Sequence, residues 1–174
     1  MNGAAAPFLV RRRLAGDGRA MRAVARATWR NTYEAVAPAG FIRAVLRGGY
    51  DRARLLRGLV DPRRDAFVVE ADGRVVGYAD LVEDPPGTAE LARIYVHPSV
   101  QGTGAGSALL DTVLETCRAR AVTTLVAYVD AANPRAQDWY RSHGFRDVGP
   151  DVFTMGPWTR PVLGLSRAIE PRTA

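Results

Sequence analysis

A glycine-rich segment that opens a helical pattern is the first candidate for chemistry in this sequence. Residues 101–106 read Gln-Gly-Thr-Gly-Ala-Gly, and the apolar spacing over residues 108–114 is typical of a helix. The first turn of a helix has backbone N–H groups without partners, and the helix dipole adds partial positive charge there. Because glycines let a phosphate approach these N–H groups closely, the segment predicts a phosphate-binding turn.

Two well-known phosphate loops differ from this turn. A P-loop requires a lysine after its last glycine, whereas Gly106 is followed by Ser107 and the chain contains no lysine. The dinucleotide fingerprint requires the order G-x-G-x-x-G and an acidic residue about 20 residues further on. Here the order is G-x-G-x-G, and the next apolar run ends at Asp130. The P-loop is therefore excluded, and the dinucleotide fingerprint fits poorly.

A second motif follows downstream of the turn. Residues 133–140 read Asn-Pro-Arg-Ala-Gln-Asp-Trp-Tyr, and Gly144-Phe145 come shortly after. The turn fits the pattern Q/R-x-x-G-x-G/A at the end of a strand, and the second motif fits N-x-x-A-x-x-aromatic-Tyr followed by Gly-Phe. In this order, the two motifs resemble those of the GCN5-related N-acetyltransferase (GNAT) family.

The resemblance implies an N-acetyltransferase that uses acetyl-coenzyme A (acetyl-CoA) as cosubstrate and no metal. In such enzymes a primary amine attacks the thioester directly in a ternary complex. A regulatory module that binds acyl-CoA without turnover is the alternative, although Asn133 and Tyr140 favour an enzyme. The acceptor would be an amine of a small molecule or a protein. Its identity stays open, because residues 19–50 and 152–160, which would face it, correspond to variable segments of the family.

The same resemblance assigns residues of both motifs to the cofactor site. The turn would bind the pyrophosphate, a backbone N–H near Tyr95 or Val96 would bind the acyl oxygen, and Asn133 would contact the pantetheine arm. Asn133 is also well placed to cap a helix that begins with Pro134. The expected cofactor contacts are Tyr95, Val96, Gln101, Gly102, Thr103, Gly104, Ala105, Gly106, Ser107, Asn133, Ala136 and Tyr140.

Two residues are expected to carry the proton transfers. Acetyl transfer requires a neutral amine, a polarised carbonyl and a proton for the departing thiolate. Tyr140 matches the family tyrosine that faces the sulfur, and a phenol with a pKa of about 10 is protonated at neutral pH, so Tyr140 is the general-acid candidate. Glu90 stands where relatives place a general base that acts through water. The alternatives are that Tyr140 only packs and that Glu90 is only solvated.

Trp29 and Tyr33 are the candidates for binding the acceptor amine. They are four residues apart and share one face of the helical pattern that runs from Arg19 toward Pro38. The resemblance places this helix beside the acceptor. A structural explanation, in which both rings pack in the core, stays open. Asp17, just before this pattern, is expected to cap the helix.

The elements that position these residues can be outlined from the sequence. Residues 90–129 read as strand, turn, helix and strand, which predicts a right-handed βαβ unit with a parallel pair of strands. Asp72-Gly73 between two apolar runs predicts a hairpin. Further strands are predicted near residues 8–13, 145–155 and 162–169, and further helices over residues 39–46, 50–60 and 134–142.

These elements and the resemblance predict one α/β domain over residues 1–174, with a core from about residue 8 to residue 169. Its sheet would be mixed and mostly antiparallel, with a parallel pair at the cofactor site and helices on both faces. This arrangement is the GNAT fold.

Composition argues against several other classes of protein. The 174 residues are 47% hydrophobic, no apolar run reaches 18 residues, and no basic and apolar leader begins the chain, so a cytoplasmic protein without membrane contact is expected. The 24 basic residues are all arginines and the net charge is +6, but they are scattered, so no nucleic acid partner is expected. No residue cluster has metal-ligand spacing, and the single cysteine, Cys117, is expected to pack in the core. A homodimer stays open.

Overall fold

The computed structural model of the chain describes residues 8–35, 37–50, 52–83 and 85–171. Within these ranges, seven strands form one sheet and five α-helices cover it. The strands are β1 (Leu9–Arg12), β2 (Arg64–Ala71), β3 (Arg74–Glu83), β4 (Thr88–Val96), β5 (Thr124–Asp130), β6 (Arg146–Met155) and β7 (Trp158–Ala168). The helices are α1 (Gly18–Tyr33), α2 (Ala39–Gly49), α3 (Arg52–Val60), α4 (Ala105–Ala119) and α5 (Pro134–Ser142). None of the described helices has the length and apolar composition of a membrane span.

The strands follow the order β1-β2-β3-β4-β5-β7-β6. Every neighbouring pair is antiparallel except β4 and β5, which are parallel, and this confirms the predicted mixed, mostly antiparallel sheet. The predicted hairpin joins β2 and β3 through Asp72 and Gly73. Both residues have positive φ, 50° and 70°, which gives the two-residue turn the twist that its flanking strands require.

The parallel pair β4–β5 is joined over only part of its length. Three residue pairs connect the two strands, and Glu90 with Val126 is the last of them. By contrast, β5 pairs with β7 along its whole length. Beyond Glu90 the strands therefore separate and open a wedge bounded by residues 91–96 of β4 and 127–130 of β5. This wedge is termed the β4–β5 cleft.

A bulge in β4 decides which of its side chains face each side of the sheet. Leu91 pairs with Leu81 and Arg93 pairs with Asp80, so Ala92 is an extra residue without a partner on β3. The bulge shifts the alternation of side chains along the strand. The resulting sets are Glu90, Arg93 and Tyr95 on the side of α1 and α2, and Leu91, Ile94 and Val96 on the side of α4.

Two hydrophobic cores lie on opposite faces of the sheet. One lies beneath α4 and α5, where Leu109, Leu110 and Val113 are fully buried. Cys117 also lies in this core, and burial raises the pKa of its thiol to about 11, which confirms its predicted role in packing. The other core lies beneath α1 and α2. Buried residues of α1 recur at intervals of three and four, as expected for one face of a helix; they are Met21, Val24, Ala25, Thr28 and Trp29.

The ends of α1 and α2 differ from the sequence-based expectation. α1 ends at Tyr33 instead of continuing to Pro38, and one further bond, from the Ala37 N–H to the Tyr33 carbonyl (2.9 Å), closes the turn that follows. α2 continues to Gly49 instead of ending at Leu46. The Gly49 carbonyl accepts a hydrogen bond from the Arg93 guanidinium (3.1 Å), and this contact offsets the low helix propensity of glycine.

Asp17 occupies the N-cap position of α1, but its side chain does not cap the helix. Its carboxylate instead accepts hydrogen bonds from the Leu14 N–H (2.7 Å) and from the Arg11 guanidinium (2.8 Å). The charge-assisted bond with Arg11 and the bond with the Leu14 amide together direct the carboxylate away from the first turn of α1. The predicted cap is therefore wrong, and the hydrogen bond with Arg11 lowers the pKa of Asp17.

Candidate active site

The predicted phosphate turn lies between the end of β4 and the start of α4. Gly102 and Gly104 have φ values of 79° and 101°, in the left-handed region that favours glycine, and Gly104 is the N-cap of α4. The first helical bond runs from the Ala108 N–H to the Gly104 carbonyl (3.0 Å). The N–H groups of residues 105–107 therefore have no partner among the described residues, which is the arrangement that binds anions at helix N-termini.

Side chains tie this turn to β4 and α1. The Gln101 amide donates to the Val96 carbonyl (3.0 Å), and the Thr28 hydroxyl of α1 donates to the same oxygen (3.2 Å). The Thr103 hydroxyl donates to the Val100 carbonyl (2.6 Å). The turn is thus fixed relative to the end of β4.

The register of β3 and β4 decides which β4 amides face the cleft. The His97 N–H donates to the Val76 carbonyl of β3 (2.8 Å), and N–H groups alternate in direction along an antiparallel strand. The Tyr95 N–H is therefore directed to β3, whereas the Val96 N–H is directed toward β5. Of the two amides predicted to bind the acyl oxygen, the geometry favours Val96. Ile94, which sequence reasoning missed, has the same direction as Val96.

Tyr140 of α5 is buried, with 7% of its surface exposed. Its ring packs edge-on against Trp139 and Phe145, with centroid distances of 5.1 Å to each. Among the described residues, its hydroxyl has no hydrogen-bond partner. Burial is the main reason that the pKa of Tyr140 is raised above its ordinary value, so the phenol keeps its proton.

Tyr140 belongs to the core beneath α4 and α5, whereas Tyr33 and Tyr95 belong to the core on the opposite face. After burial, these two tyrosines are the next causes of the raised pKa of Tyr140. The sheet separates the two faces except where β4 and β5 part. The three tyrosines therefore meet around the β4–β5 cleft.

Asn133 lies at the start of α5, directly after β5. Its Oδ1 accepts a hydrogen bond from the Ala136 N–H (3.1 Å), and Pro134 is the first helical residue, so the predicted N-cap is confirmed. Its Nδ2 donates to the Tyr33 hydroxyl of α1 at 3.5 Å. Asn133 therefore bridges α5 and α1 across the end of β5.

Trp29 and Tyr33 are both core residues of α1, with 7% and 9% exposure. Their ring centroids are 4.6 Å apart, and Trp29 also meets Phe41 of α2 edge-on at 5.9 Å. This burial agrees with the structural explanation for the pair. Contact with an acceptor stays a prediction, and it would involve the Tyr33 hydroxyl near Asn133 rather than a broad aromatic surface.

Glu90 lies at the base of the cleft, in the last residue pair between β4 and β5. It is half-buried and has no hydrogen-bond partner among the described residues. Burial raises the pKa of its carboxyl above the ordinary value, and nearby Arg64 opposes this in part. A carboxylate with a raised pKa is a better proton acceptor than a solvated one.

Sequence reasoning missed the contact that joins the two motifs. His143 is the C-cap residue of α5 and stacks on Trp139 with a centroid distance of 4.3 Å. Its Nε2 lies 3.0 Å from the Ser107 hydroxyl in the first turn of α4. A Cβ on Gly106 would lie 3.4 Å from the Trp139 ring, so this glycine also allows the two helices to pack. No local pattern in the sequence signals these contacts.

An ion pair at the end of β5 was also missed. Asp130 accepts hydrogen bonds from Nε and Nη2 of Arg160 on β7, at 2.5 and 3.0 Å. The Arg160 guanidinium lies over the rings of Tyr33 and Phe41, at 5.9 and 5.7 Å. The resemblance had placed residues 152–160 near the acceptor but had identified no particular side chain.

Known proteins are similar to this chain both in sequence and in fold. The sequence profile of the acetyltransferase (GNAT) family matches residues 22–145. A protein of Mycobacterium tuberculosis, named only as an uncharacterized N-acetyltransferase, is 38% identical over 125 residues, which cover 70% of this chain and 78% of that protein. A mycothiol acetyltransferase of Thermomonospora curvata is 34% identical over 106 residues, which cover 61% of this chain but only 35% of that protein.

A solved structure gives the same fold. The PaiA N-acetyltransferase from Thermoplasma acidophilum, in complex with coenzyme A, has a TM-score of 0.82 at 21% identity, and the match covers 93% of this chain and 99% of that one. With a family profile matched over more than half of its length, the chain belongs to the GNAT family of acetyltransferases. It is an N-acetyltransferase, as the resemblance implied.

Proposed function

We propose that this N-acetyltransferase moves an acetyl group from acetyl-CoA to a primary amine by direct attack in a ternary complex. The observation that supports this most is the β4–β5 cleft: a helix start with free N–H groups lies beyond the end of β4, and beside it lies the Tyr140 hydroxyl, which has no hydrogen-bond partner in the described part of the chain. The structural relative that was solved with coenzyme A also supports acetyl-CoA as cosubstrate.

In the proposed complex, the N–H groups of residues 105–107 bind the pyrophosphate and Gln101 and Thr103 hold the turn. The pantetheine arm lies along β4, where the Ile94 and Val96 amides are directed toward the cleft. Asn133 and Ala136 line the opposite side at the start of α5. The arm would thus lie between β4 and β5 where the two strands are no longer hydrogen-bonded to each other.

The chemistry requires the carbon–nitrogen bond to form while the carbon–sulfur bond breaks. Glu90 accepts the proton of the attacking amine through a chain of water molecules, because it lies six residues, or about 20 Å, from Val96 along β4, and its raised pKa favours proton uptake. The Val96 N–H donates to the acyl oxygen as negative charge develops there. The Tyr140 hydroxyl, which keeps its proton in the resting enzyme, donates a hydrogen bond to the departing sulfur and passes its proton to the thiolate, and the proton that Glu90 took from the amine returns to Tyr140 through water.

The acceptor is proposed to enter from the side of α1 and α2, opposite the phosphate turn. Trp29 and Tyr33 would form part of its wall, and the Asp130–Arg160 pair would lie nearby. Of the relatives described above, only the mycothiol acetyltransferase is named for an acceptor or product, so only the class of a primary amine, on a small molecule or a protein, is proposed here.

Incubation of the protein with acetyl-CoA and a panel of amines tests this function. Release of the free coenzyme A thiol together with an acetylated amine, identified by mass spectrometry, is expected. A thiol release that occurs equally without any amine would indicate hydrolysis and contradict the proposal. Tight binding of acetyl-CoA without turnover on any amine would favour the regulatory module instead.

A further inference from the structure

A separate cavity lies between α3, the end of α2 and the face of the sheet that bears Asp80 and Arg93. Its volume is about 340 Å³, within the usual range of small-molecule sites. Among the described residues, five arginines and three aspartates line it, and together they carry a net formal charge of +2. The arginines are Arg13, Arg54, Arg57, Arg64 and Arg93.

The three aspartates that line the cavity are already paired with arginines. These pairs are Asp65 with Arg12 and Arg120, Asp61 with Arg64, and Asp80 with Arg93, at distances between 2.5 and 3.3 Å. None of the pairs involves Arg13. The lining carboxylates therefore form no ion pair with Arg13, which is the one buried arginine, by exposed surface, among the described residues that line the cavity.

Arg13 is 8% exposed and lacks a counter-charge within ion-pair distance among the described residues. Its Nη2 donates to the Leu55 carbonyl of α3 (2.8 Å), but its buried Nε has no hydrogen-bond partner among the residues that the structure describes. Burial lowers the pKa of Arg13, because a charge is unfavourable away from water, and the nearby Asp80 opposes this in part. Buried donors in proteins are usually hydrogen-bonded, so the Nε of Arg13 would be stabilised by an acceptor that enters the cavity.

Two glycines make room for the guanidinium groups at the cavity wall. A Cβ on Gly58, inside α3, would lie 3.3 Å from Nη2 of Arg13, and a Cβ on Gly49 would lie 3.3 Å from Nη2 of Arg93. Glycine lowers the stability of a helix relative to alanine. At these two positions, however, an alanine side chain would crowd the guanidinium groups of Arg13 and Arg93.

We propose that this cavity binds an anionic group, a phosphate or a carboxylate, with Arg13 as its buried anchor. A planar guanidinium can bind either group through two parallel hydrogen bonds, and such an anion would supply the partner that Nε lacks. The anionic group has two alternative sources. It is part of the acceptor amine, or it is a separate anion free in solution.

The register of the sheet connects the first source to the candidate active site. Arg64, Val82 and Glu90 are aligned across β2, β3 and β4, so Arg64 at the cavity and Glu90 at the cleft lie on the same face of the sheet. An acceptor whose anionic group lies in the cavity would extend along this face toward Glu90. This source rests on the proposed function, whereas anion binding itself does not.

Thermal unfolding with added sodium phosphate tests the site directly. Coenzyme A is present at saturation, to occupy the phosphate turn, and sodium chloride at matched ionic strength is the reference. Phosphate should raise the melting temperature of the wild type, and Arg13→Met should lose this rise. Arg74→Met, which removes an exposed arginine outside the cavity, should keep it. An equal rise in Arg13→Met and the wild type would overturn the proposal.

A second variant covers the case in which Arg13→Met does not fold. Arg57 is exposed on α3 and lines the cavity, so Arg57→Met should fold and show a weaker response to phosphate. An unchanged response would again count against the site.

Kinetics with 8-amino-1-octanol and its phosphate monoester separate the two sources, because Arg13 lies about three strand spacings, or roughly 14 Å, from β4 and a shorter amine could not reach both places. If the acceptor carries the anion, phosphate competes with the phosphate monoester, and Arg13→Met raises KM for this amine several-fold but not for the alcohol. If the anion is free, phosphate raises the melting temperature without competing with either amine. Acetylation that proceeds normally while phosphate produces no rise in melting temperature would remove the anion site and leave the proposed function intact.

Discussion

Glu90 of β4 and Val126 of β5 form the last pair before the two strands separate. The carboxyl group of Glu90 thus lies where the sheet begins to open, half-buried and with a raised pKa. If it is the base, Glu90→Gln should lower kcat by about 10²–10⁴-fold, the usual span for such a group. The rise of wild-type kcat/KM with pH through the raised pKa of Glu90 should also disappear. Glu115→Gln, an exposed substitution on α4, is the control.

Glu90 also links stability to pH. Because its pKa is higher in the folded than in the unfolded protein, ionised Glu90 opposes folding above the folded pKa and has no effect below the unfolded pKa. Glu90→Gln should therefore be more stable than the wild type near pH 7, and this advantage should vanish below about pH 4. Urea unfolding at both pH values measures it. A difference that does not depend on pH would contradict the burial of this carboxylate.

Removal of the Tyr140 hydroxyl should affect turnover without affecting stability. The hydroxyl has no described partner, so Tyr140→Phe should fold normally and bind coenzyme A nearly unchanged, while kcat falls by about 10²–10⁴-fold. Pre-steady-state turnover and calorimetry measure the two effects. Tyr50→Phe is the contrast, because its buried hydroxyl bonds to that of Tyr78 and its loss should lower stability instead. Wild-type turnover in Tyr140→Phe, with chemistry rate-limiting, would leave Tyr140 a packing role only.

Alanine substitutions at two glycines of similar conformation distinguish an effect on coenzyme A binding from an effect of backbone strain. Gly104 and Gly73 have φ values of 101° and 70°, and a Cβ on either would have no contact closer than 4.0 Å. Gly104→Ala and Gly73→Ala should each lose about 1–2 kcal/mol of stability from left-handed strain. Only Gly104→Ala, in the phosphate turn, should also weaken coenzyme A binding, by about tenfold or more, as measured by calorimetry. Equal affinities in the two variants would argue against a pyrophosphate at this turn.

Two substitutions distinguish whether Trp29 and Tyr33 of α1 stabilise the core or contact the acceptor amine. Trp29→Ala should lower the free energy of unfolding by about 3–5 kcal/mol, because the ring is buried between Tyr33 and Phe41. Tyr33→Phe keeps the ring and removes only the hydroxyl near Asn133. If this hydroxyl contacts the acceptor, KM for the amine should rise while the melting temperature changes little. An unchanged KM for the amine would indicate that Trp29 and Tyr33 serve only to pack the core.

Local signals in the sequence located most elements, because caps and turns depend on neighbouring residues. Asn133 and Pro134 marked the start of α5, and Asp72-Gly73 marked the β2–β3 turn. The bulge at Ala92 had no such signal, since it arises from pairing between distant strands. For the same reason, the sequence did not indicate that Glu90 and Arg93 share a face of the sheet.

Long-range contacts also explain what the sequence could not show about the sites. The two motifs were recognisable by type and spacing, but the contact between Ser107 and His143 depends on how α4 packs against α5. Burial of Arg13 could not be inferred from the run Arg11-Arg12-Arg13, in which side chains alternate between solvent and the interior. Only the folded sheet distinguishes these arginines.

The position of β7 between β5 and β6 has a consequence for how the protein forms during synthesis. One edge of β5 has no neighbour until residues 158–168 have left the ribosome, and β6, made earlier, has no partner in the sheet before then. The wall of the β4–β5 cleft that β5 supplies is therefore completed late, after both sequence motifs have been translated. A nascent chain at this stage exposes two strand edges, which makes it a natural client for a chaperone.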